Sequence, residues 1–491
     1  MVTPDLSTFE NMSRNHNIVP VFREISIDYD TPVSLFDKVA GGDYAFLLES
    51  LEGGERWGRY SFIGFRPFLL VKTRGRQVIL EDRGGMRTHE VENPIDFLQE
   101  LMKRFKLARL PGLPRFSGGA VGYLGYDMVR FVERLPDNLE DTTGFHDSVF
   151  MFPEVLLCVD NLKQSLKIIV NTVIDSASPS KDSYEKACSL IEGIIRKVRR
   201  GIDYPEPEIG NLSHTRLEPE VPQERFESIV KQAKEYIRAG DIIQVVLSQR
   251  FSGRSQIPPF ELYRAVRRIN PSPYLYYLRL GDEMLVGSSP EILVRLTGQE
   301  IELRPIAGTR PRGGTEEEDL ALERELLNDP KEKAEHVMLV DLGRNDVGRV
   351  AEMGSVEVRD FMVIERYSHV MHIVSSVTGR LKKGLDMFDV FKACFPAGTV
   401  SGAPKIRAME IIEELEHARR GPYAGAVGYL GFSGSMDLAI AIRTLCQKGD
   451  MLYLQAGAGI VADSVPENEW TETLNKGRAL MRAIEDVQTR N

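Results

Sequence analysis

The order of strand-like and helix-like segments constrains this chain more than any other feature. Residues 44–49, 60–73 and 165–173 are rich in β-branched and aromatic residues, which predicts strands. Residues 183–198 and 224–239 carry apolar residues at helical spacing, which predicts helices. Because strands and helices alternate without a regular strand–helix–strand rhythm, the sequence favours an α+β fold over a doubly wound parallel sheet.

The composition changes near the middle of the chain. Residues 201–223 contain four prolines among acidic and polar residues, which is typical of a linker. We therefore predict an N-terminal region at 20–200, a linker at 201–223 and a second region at 224–488.

One heptapeptide, Gly-Ala-Val-Gly-Tyr-Leu-Gly, occurs on both sides of this linker, at 119–125 and at 425–431. The pattern predicts two buried strands whose glycines allow close approach of neighbouring backbone. Seven residues do not establish a duplicated structural unit.

The charge and cysteine content exclude several classes of function. The chain has 62 basic and 72 acidic residues, and this net charge of −10 argues against non-specific binding to nucleic acid or to anionic membranes. The four cysteines form neither a zinc motif nor a disulfide framework. Since no apolar run approaches the roughly 18 residues of a membrane span and no signal peptide begins the chain, we expect a cytoplasmic protein.

Two pairs of glutamates are candidate metal ligands. Glu332 and Glu335 are three residues apart, as are Glu469 and Glu472, and residues at this spacing share one face of a helix. Two such helices facing each other could hold Mg²⁺, which prefers carboxylate oxygens together with water and substrate. Solvated acidic helix faces are the alternative, and spacing alone favours them.

Several cationic or small residues are candidates for binding an anion. Arg443 lies in an apolar run at 438–445 that predicts a strand, and a charge there needs a partner. Lys476 follows Glu472 by four residues and shares its helix face. The turns at 308–309 and 457–459 consist of small residues that let backbone N–H groups approach an anion. A structural salt bridge and ordinary tight turns are the alternatives.

Two further side chains could transfer protons. Glu291 follows Ser-Ser-Pro and could be a general acid if it is partly buried, although a carboxylate at a helix start is the simpler interpretation. His372 lies in an alternating, strand-like run, where a hydrogen-bonded structural histidine is more common than a catalyst.

Taken in order, the motifs after the linker resemble those of the chorismate-utilising enzymes. The matching segments are 240–249, 287–291, 304–310, 329–336, 340–346, 395–405, 455–459 and 463–472. Segments 47–50 and 59–64 extend the resemblance to the large subunits of anthranilate synthase. The resemblance implies an interleaved, two-part fold in which stacked antiparallel sheets carry helices outside. It also implies Mg²⁺-dependent conversion of chorismate and ammonia into anthranilate and pyruvate.

Two positions indicate which branch of the family this chain resembles. Relatives that form isochorismate or salicylate carry a water-activating lysine where this chain has Gln244. The 4-amino-4-deoxychorismate synthases carry a nucleophilic lysine where this chain has Ala307. Neither replacement can perform that chemistry, so the resemblance implies addition of ammonia at C2 of the ring.

The resemblance assigns roles to individual residues. Glu291 would protonate the departing hydroxyl, and His372 would act in pyruvate elimination, with Thr309 beside the reacting groups. Glu335 and Glu472 would bind Mg²⁺, with Glu332 and Glu469 nearby. The implied substrate contacts are Gly308, Thr309, Thr399, Tyr423, Arg443, Gly457, Ala458, Gly459 and Lys476.

The resemblance also implies two partners. Ammonia would come from a separate glutamine amidotransferase subunit, in an assembly of two large and two small subunits, since no further domain follows the last helix. Tryptophan would act as a feedback inhibitor. The implied tryptophan site comprises Glu49, Ser50, Pro273, Tyr274 and Leu275.

Two alternatives remain at this point. A 2-amino-2-deoxyisochorismate synthase would form the same C2 amine but retain pyruvate. A non-catalytic tryptophan-sensing subunit would have no physical need for the carboxylate pairs, Arg443 and His372.

Overall fold

A computed structural model of the chain describes residues 1–50, 58–174, 180–201, 214–367 and 370–489. Within these ranges the helices are α1 (Leu6–Ser13), α2 (Pro32–Val39), α3 (Pro94–Lys103), α4 (Ser180–Val198), α5 (Gln223–Ala239), α6 (Pro259–Ile269), α7 (Glu316–Asn328), α8 (Pro330–Val350), α9 (Met387–Cys394), α10 (Lys405–Leu415) and α11 (Pro466–Thr489). Two short 3₁₀ helices cover Tyr126–Phe131 and Gly398–Val400. Residues 202–213, which form much of the predicted linker, lie outside the described residues.

The strands of the N-terminal half are β1 (Ile18–Ser26), β2 (Tyr44–Glu49), β3 (Tyr60–Arg74), β4 (Gln77–Asp82), β5 (Gly85–Glu90), β6 (Gly119–Leu124), β7 (Ser148–Asp160) and β8 (Ser165–Val173). Those of the C-terminal half are β9 (Glu218–Pro219), β10 (Gln244–Arg254), β11 (Tyr274–Leu280), β12 (Glu283–Ser289), β13 (Ile292–Thr297), β14 (Glu300–Leu303), β15 (Ile306–Pro311), β16 (Glu357–Arg366), β17 (Val370–Arg380), β18 (Gly402–Ala403), β19 (Ala426–Gly431), β20 (Met436–Ile440), β21 (Thr444–Lys448) and β22 (Met451–Ile460).

The strands form two connected antiparallel layers. The first runs β10–β22–β21–β12–β11–β2–β3, followed by β7, β8 and β1. The second continues from β7 through β6–β19–β20–β13–β14–β17, and β15 and β16 both pair with β17. The long strands β3 and β7 take part in both layers, since β3 pairs first with β2 and then with β4.

The two halves of the sequence share these layers. Strand β2 pairs with β11, with Glu49 opposite Leu275, and β6 pairs with β19, with Leu124 opposite Ala426. The N-terminal region therefore completes sheets that the C-terminal region begins.

Side-chain alternation places the hydrophobic cores. In β2, Phe46 belongs to a cluster that also contains Tyr123 of β6 and Val427 of β19, so this cluster lies between the two layers. The neighbouring Leu47 packs on the opposite face, in a cluster with residues of α2, α4, α6 and α11. In the second layer, Leu430 faces a cluster that includes α3, α8 and α9. The stacked antiparallel sheets with outer helices confirm the predicted α+β fold class.

Local signals set the helix ends. The Asp329 carboxylate caps α8 by accepting hydrogen bonds from the backbone N–H groups of Lys331 and Glu332, and Pro330 occupies the first turn. Gly240 ends α5 in the left-handed conformation, with φ +85°. Gly240 directly follows the helix that the sequence predicts at 224–239.

The last helix begins at Pro466, so Glu469 lies in its first turn. Helix α8 continues to Val350. The structure corrects one predicted strand. The predicted strand at 438–445 is interrupted, because Arg443 lies between β20 and β21 with φ +51°, a left-handed conformation that is uncommon for residues other than glycine.

The two copies of the repeated heptapeptide pair with each other as β6 and β19. Gly122 faces Gly428 in this ladder, and a Cβ atom on Gly122 would lie 1.8 Å from the carbonyl oxygen of Val149. A Cβ atom on Gly428 would lie 2.1 Å from the carbonyl oxygen of Asp437. The prediction of buried strands with close backbone approach is confirmed.

No helix in the described ranges is long and apolar enough to cross a membrane.

Candidate active site and a second cavity

Most of the predicted catalytic and substrate residues meet in one cavity of about 280 Å³. Its walls come from β10, β15, β22, α8 and α11, together with the loops before β13 and around residue 399. The predicted residues that line it are Glu291, Gly308, Thr309, Glu335, His372, Thr399, Tyr423, Arg443, Gly457, Gly459, Glu472 and Lys476.

Arg443 supplies a positive charge to this cavity. Its left-handed backbone turns the chain between β20 and β21, and its guanidinium donates a hydrogen bond to the carbonyl oxygen of Lys476 at 2.5 Å. In the described part of the chain, no carboxylate forms a salt bridge with Arg443. Desolvation lowers the pKa of this arginine, against the smaller opposing effect of Tyr423. An unpaired, poorly solvated cation favours binding of an anionic ligand.

Carboxylates from α8 and α11 also line the cavity. Partial desolvation raises the pKa of Glu335, and the negative charges of Glu332 and Glu472 raise it further. Glu335 Oε1 accepts a hydrogen bond of 3.4 Å from Gln244. Lys476 forms a salt bridge of 2.7 Å with Glu472 and also donates to the carbonyl oxygen of Gly457 at 2.9 Å.

These carboxylates fit a divalent cation in part. Glu469 Oε2 is buried and has no hydrogen-bond partner, and burial together with Glu472 and Glu335 raises the pKa of its carboxyl. Uncompensated carboxylate oxygens are the donors that Mg²⁺ takes, usually one or two from protein with the remaining positions filled by water and substrate. Among the residues described, no three His, Cys, Asp or Glu side chains converge as a complete metal site. The protein donors alone therefore do not enclose an ion.

Glu291 is a buried acid in the wall beside Thr399. Burial raises its pKa to about 8, while Thr399 and the more distant charge of Lys476 oppose this only weakly. The hydroxyl of Thr399 is itself buried without a hydrogen-bond partner. Glu291 is therefore protonated at neutral pH and can donate a proton.

His372 lies on β17 opposite Thr309 of β15. Its Nδ1 is 3.0 Å from the carbonyl oxygen of Gly308 and 3.0 Å from the hydroxyl of Thr309. Because a carbonyl oxygen only accepts, Nδ1 carries the proton in this hydrogen bond and Nε2 of the neutral ring remains a base. Burial lowers the pKa of His372, which keeps the ring neutral.

Small residues let strand β22 approach the cavity. A Cβ atom on Gly457 would lie 2.7 Å from the hydroxyl of Tyr423, and one on Gly459 would lie 2.5 Å from Nε2 of Gln244. Burial raises the pKa of Tyr423 to about 12, so the phenol stays neutral.

Three predicted residues lie apart from the cavity wall. The methyl group of Ala458 points into the hydrophobic cluster beneath β10, because alternate residues of a strand face opposite sides. Glu332 pairs with Arg310 at 3.1 Å. Glu469 lies three residues before Glu472 on α11 and does not line the cavity. Gln455 and Ile442 also line the cavity, without a role predicted from the sequence. Gln455 opens the Gln-Ala-Gly-Ala-Gly motif, so a signal was present.

The five residues of the predicted tryptophan site meet in a second cavity of about 430 Å³, within the range of roughly 300–1,000 Å³ typical of small-molecule sites. Aromatic side chains on its walls include Tyr60, Phe62 and Tyr429. The cavity lies where β2 meets β11, so both halves of the sequence contribute to it.

Charged groups in this second cavity are paired with one another. Glu49 is held by Arg267 at 2.9 Å and by the hydroxyl of Tyr263 at 2.5 Å. Arg295 pairs with Asp437 at 2.9 Å, and both contact the hydroxyl of Tyr274. Arg295 was not among the predicted site residues, although a charge within the apolar run of β13 is the same signal that pointed to Arg443.

The β11–β12 hairpin connects the two cavities. Leu275, in the second cavity, lies opposite Ser288 in the antiparallel ladder. The backbone N–H of Ser288 donates to the carbonyl oxygen of Arg443 at 3.0 Å. Glu291, which lines the first cavity, follows Ser288 by three residues. Backbone hydrogen bonds therefore link β11 through Ser288 to Arg443, and the chain runs on from Ser288 to Glu291.

Comparison with known proteins gives one consistent family. A model described as chorismate binding enzyme matches residues 45–482. The anthranilate synthase component 1 of Acetivibrio thermocellus is 49% identical over 493 residues, covering 99% of each chain. That of Aquifex aeolicus is 50% identical over 487 residues, covering 98% of this chain and 97% of its own. The crystal structure of anthranilate synthase component I from Streptococcus pneumoniae matches with a TM-score of 0.77 at 40% identity, covering 93% of this chain and 99% of that one.

Proposed function

Because the chain belongs to the family of chorismate-binding enzymes, we propose that it is an anthranilate synthase subunit. It converts chorismate and ammonia into anthranilate and pyruvate, the first step of tryptophan biosynthesis. The observation that carries this proposal is the unpaired guanidinium of Arg443 in the same cavity as a protonated Glu291 and the neutral His372. The relatives at about half identity carry the same assignment.

Chorismate has two carboxylates, and the cavity offers cationic and N–H donors for them. Arg443 binds one carboxylate, and the backbone of 457–459 and of 308–309 approaches the substrate closely because these residues are small. Tyr423 remains a hydrogen-bond donor because its pKa is raised. Exclusion of water around the ring strengthens each of these contacts.

Proton transfer is divided between two side chains. Glu291 gives its proton to the 4-hydroxyl of chorismate, which leaves as water while ammonia bonds to C2 and the ring double bonds shift. His372 then removes the proton from C2, the C2=C3 double bond of the aromatic ring forms as the bond between C3 and the enolpyruvyl oxygen breaks, and the departing enolpyruvate takes up a proton to become pyruvate. The carbonyl oxygen of Gly308 accepts from Nδ1 and so holds the His372 ring in the tautomer that leaves Nε2 as the base.

Mg²⁺ is part of this proposal. Glu335 and Glu472 would hold it, with Glu469 and Glu332 close by, and the bound ion would offset the negative charge of the ring carboxylate. The unpartnered oxygen of Glu469 and the raised pKa of Glu335 support an extra cation here.

The nitrogen source in the proposal is a separate glutamine amidotransferase subunit, in an assembly of two large and two small chains. The relatives' name, component 1, supports a second component. Tryptophan binds in the second cavity as a feedback inhibitor. Its aromatic walls and its paired charges suit a zwitterionic aromatic ligand.

Fluorescence of the product tests the proposal directly. Purified protein is supplied with chorismate, Mg²⁺ and an ammonium salt, and anthranilate is measured as it forms. An aminated product that retains pyruvate would instead identify a 2-amino-2-deoxyisochorismate synthase, and no turnover would identify a non-catalytic subunit. Glutamine in place of ammonium should give no product without an added partner. Product from glutamine would contradict the separate-subunit proposal.

Matched arginine variants test whether Arg443 binds a carboxylate of chorismate. Arg443→Gln removes the cation in the cavity and should raise the KM for chorismate about 100-fold, equivalent to about 2.7 kcal/mol of binding. Arg216→Gln is the control, since its side chain is exposed and pairs only with Glu218. Equal KM values for the two variants would exclude Arg443 as the substrate's carboxylate partner.

A further inference from the structure

Arg420 is a buried cation that does not itself line the first cavity. It is only 2% exposed, and it pairs with Glu416, which is 6% exposed. The two side chains share hydrogen bonds of 2.6 Å and 2.9 Å, so the guanidinium engages both carboxylate oxygens. Such two-point pairs fix orientation as well as distance.

The remaining donors of Arg420 reach the back of two walls of the cavity. One nitrogen donates to the carbonyl oxygen of Val400 at 2.7 Å, and another donates to that of Val246 at 2.7 Å. Val400 follows Thr399 in the short turn beside Glu291, and Val246 lies in β10 opposite Gly459. Arg420 therefore connects the turn beside the proposed acid with the strand that supports the substrate-facing backbone.

Two further contacts complete this arrangement. The guanidinium of Arg420 lies 5.6 Å from the ring centre of Tyr423, a third wall of the cavity. Glu416 Oε1 accepts hydrogen bonds of 2.8 Å from both the backbone N–H and the hydroxyl of Ser248, which lies opposite Gly457. The ion pair thus lies at the junction of three segments that are far apart in sequence.

Stability alone does not explain an ion pair at this depth. Moving two charges out of water is costly, and apolar residues of similar volume often stabilise a core equally well or better. The planar fork of arginine is suited to fixing several acceptors in one plane, which an apolar side chain cannot do. The arrangement of acceptors around Arg420 indicates a geometric role.

We propose that Arg420, held by Glu416, is a positioning residue that sets the distance between the turn at 399–400, strand β10 and Tyr423 around the chorismate site. This inference rests on the proposed function for its kinetic readout. It assigns no contact between Arg420 and the substrate.

The test compares Arg420→Lys with Arg130→Lys. A lysine at 420 can keep the charge pair with Glu416, but one ammonium cannot reach both carbonyl oxygens in the same geometry. Displacements of about 1 Å in a reacting site cost on the order of 100-fold in rate, so we expect kcat/KM for chorismate to fall about 100-fold. The control, Arg130, pairs with Glu413 of α10 at 2.7 Å, has a side chain that is 14% exposed, and does not line the cavity.

A role limited to stability predicts a different result. In that case Arg420→Lys and Arg130→Lys lower the Tm and leave kcat/KM per folded molecule unchanged, which would overturn the inference. A positioning role also predicts a shifted alkaline limb of the kcat–pH profile in Arg420→Lys only, because the 399–400 turn borders Glu291. An unaltered kcat–pH profile in Arg420→Lys would count against the positioning role.

Two further measurements cover a variant that does not fold and a wild-type protein without activity. If Arg420→Lys does not fold, Glu416→Gln and Glu413→Gln replace the lysine pair, and equal activity of these two variants would overturn the inference. If the wild-type protein makes no anthranilate, the proposed function fails on its own. Chorismate affinity by calorimetry then decides the positioning role, which requires weaker binding in Arg420→Lys than in Arg130→Lys.

Discussion

Two buried glutamates show how the partners of a side chain decide its chemistry. Burial alone would raise the pKa of Glu283, but hydrogen bonds from His146, Tyr123 and Lys448 lower it to about 2. Glu291 lacks such a set of donors, and burial raises its pKa to about 8. Glu283 is therefore a structural anion and Glu291 a neutral acid, although both lie close to strand β12.

The raised pKa of Glu291 predicts a pH-dependent loss of stability. The folded protein holds this proton up to about pH 8, whereas an unfolded chain releases it near its ordinary pKa of 4.5. Between these values the folded state binds more protons, so its stability falls as pH rises. The Tm of Glu291→Gln should therefore rise relative to wild type from pH 5 to pH 8, measured by calorimetry.

Glu283→Gln is the control with the opposite sign. Because the pKa of Glu283 is lowered, its stabilisation is present above about pH 4.5 and is lost as pH falls toward 2. This variant should be less stable than wild type at neutral pH, and the deficit should shrink in acid. Parallel pH curves for the Glu291 variant and wild type would show that Glu291 does not hold a proton at pH 7.

Removal of one cavity carboxylate should abolish turnover while preserving the fold. Glu335→Gln or Glu472→Gln replaces a hard anionic donor by a weak neutral one, so we expect kcat to fall at least about 1,000-fold, as for loss of a main electrostatic contact. Excess Mg²⁺ should restore part of the activity. Glu467→Gln, on the exposed face of α11, should retain full activity in the same assay. Near-normal kcat in the first two variants would contradict the metal assignment.

Charged residues within apolar runs could be recognised from the sequence, but their partners could not. Arg443 and Arg295 give the same local signal, yet one faces an open cavity and the other pairs with Asp437 from a different strand. Arg420 gave no signal, because it follows a polar segment and its contacts come from distant parts of the chain. Pairing of this kind depends on the tertiary fold.

At the scale of elements, β6 and β19 show why a repeated sequence was informative. Local pattern placed most strands and helices within a few residues of their observed bounds, including Tyr44–Glu49 and Ser165–Val173. Strand order could not be predicted, because the pairing of β2 with β11 joins residues more than 200 positions apart. The turn at Arg443 was also missed, since its left-handed conformation is rare for arginine.

Glycine is required in the β6–β19 ladder, and this predicts a large stability effect. In Gly122→Ala the new methyl group would meet the backbone of Val149, which cannot move without disrupting β7. We expect a loss of about 1–3 kcal/mol, typical of overpacking, measured by denaturant unfolding. Gly348→Ala is the control, because no atom lies within 4 Å of its added methyl group in helix α8. It should be neutral or stabilise by up to about 1 kcal/mol. Equal effects would contradict the close packing.

At the scale of the whole molecule, the second cavity lies where the two halves of the sequence meet. A ligand bound there contacts β2 and β11 together, and β11 is connected to Arg443 through Ser288. A ligand can shift the protein only by its different affinity for two arrangements, so the proposed inhibition by tryptophan would be reciprocal with chorismate binding.

Ser50→Phe tests this coupling. The larger side chain should fill the second cavity and raise the half-inhibitory concentration of tryptophan at least about tenfold, within the usual range of allosteric coupling. Activity without tryptophan should change little, because Ser50 lies outside the first cavity. Ser433→Phe, in an exposed turn, is the steric control and should respond to tryptophan as wild type does. An identical response in Ser50→Phe would place the regulatory site elsewhere.

The pairing of β6 with β19 also has a consequence for biosynthesis. Leu124 emerges from the ribosome roughly 300 residues before its partner Ala426. At about 5–20 residues per second, this interval lasts about 15–60 s. For that time β6 presents an unpaired edge along Gly119–Leu124, and such edges attract other strands. The nascent chain is therefore vulnerable to misassociation throughout this interval, and slower elongation between these two strands should lower the yield of native protein.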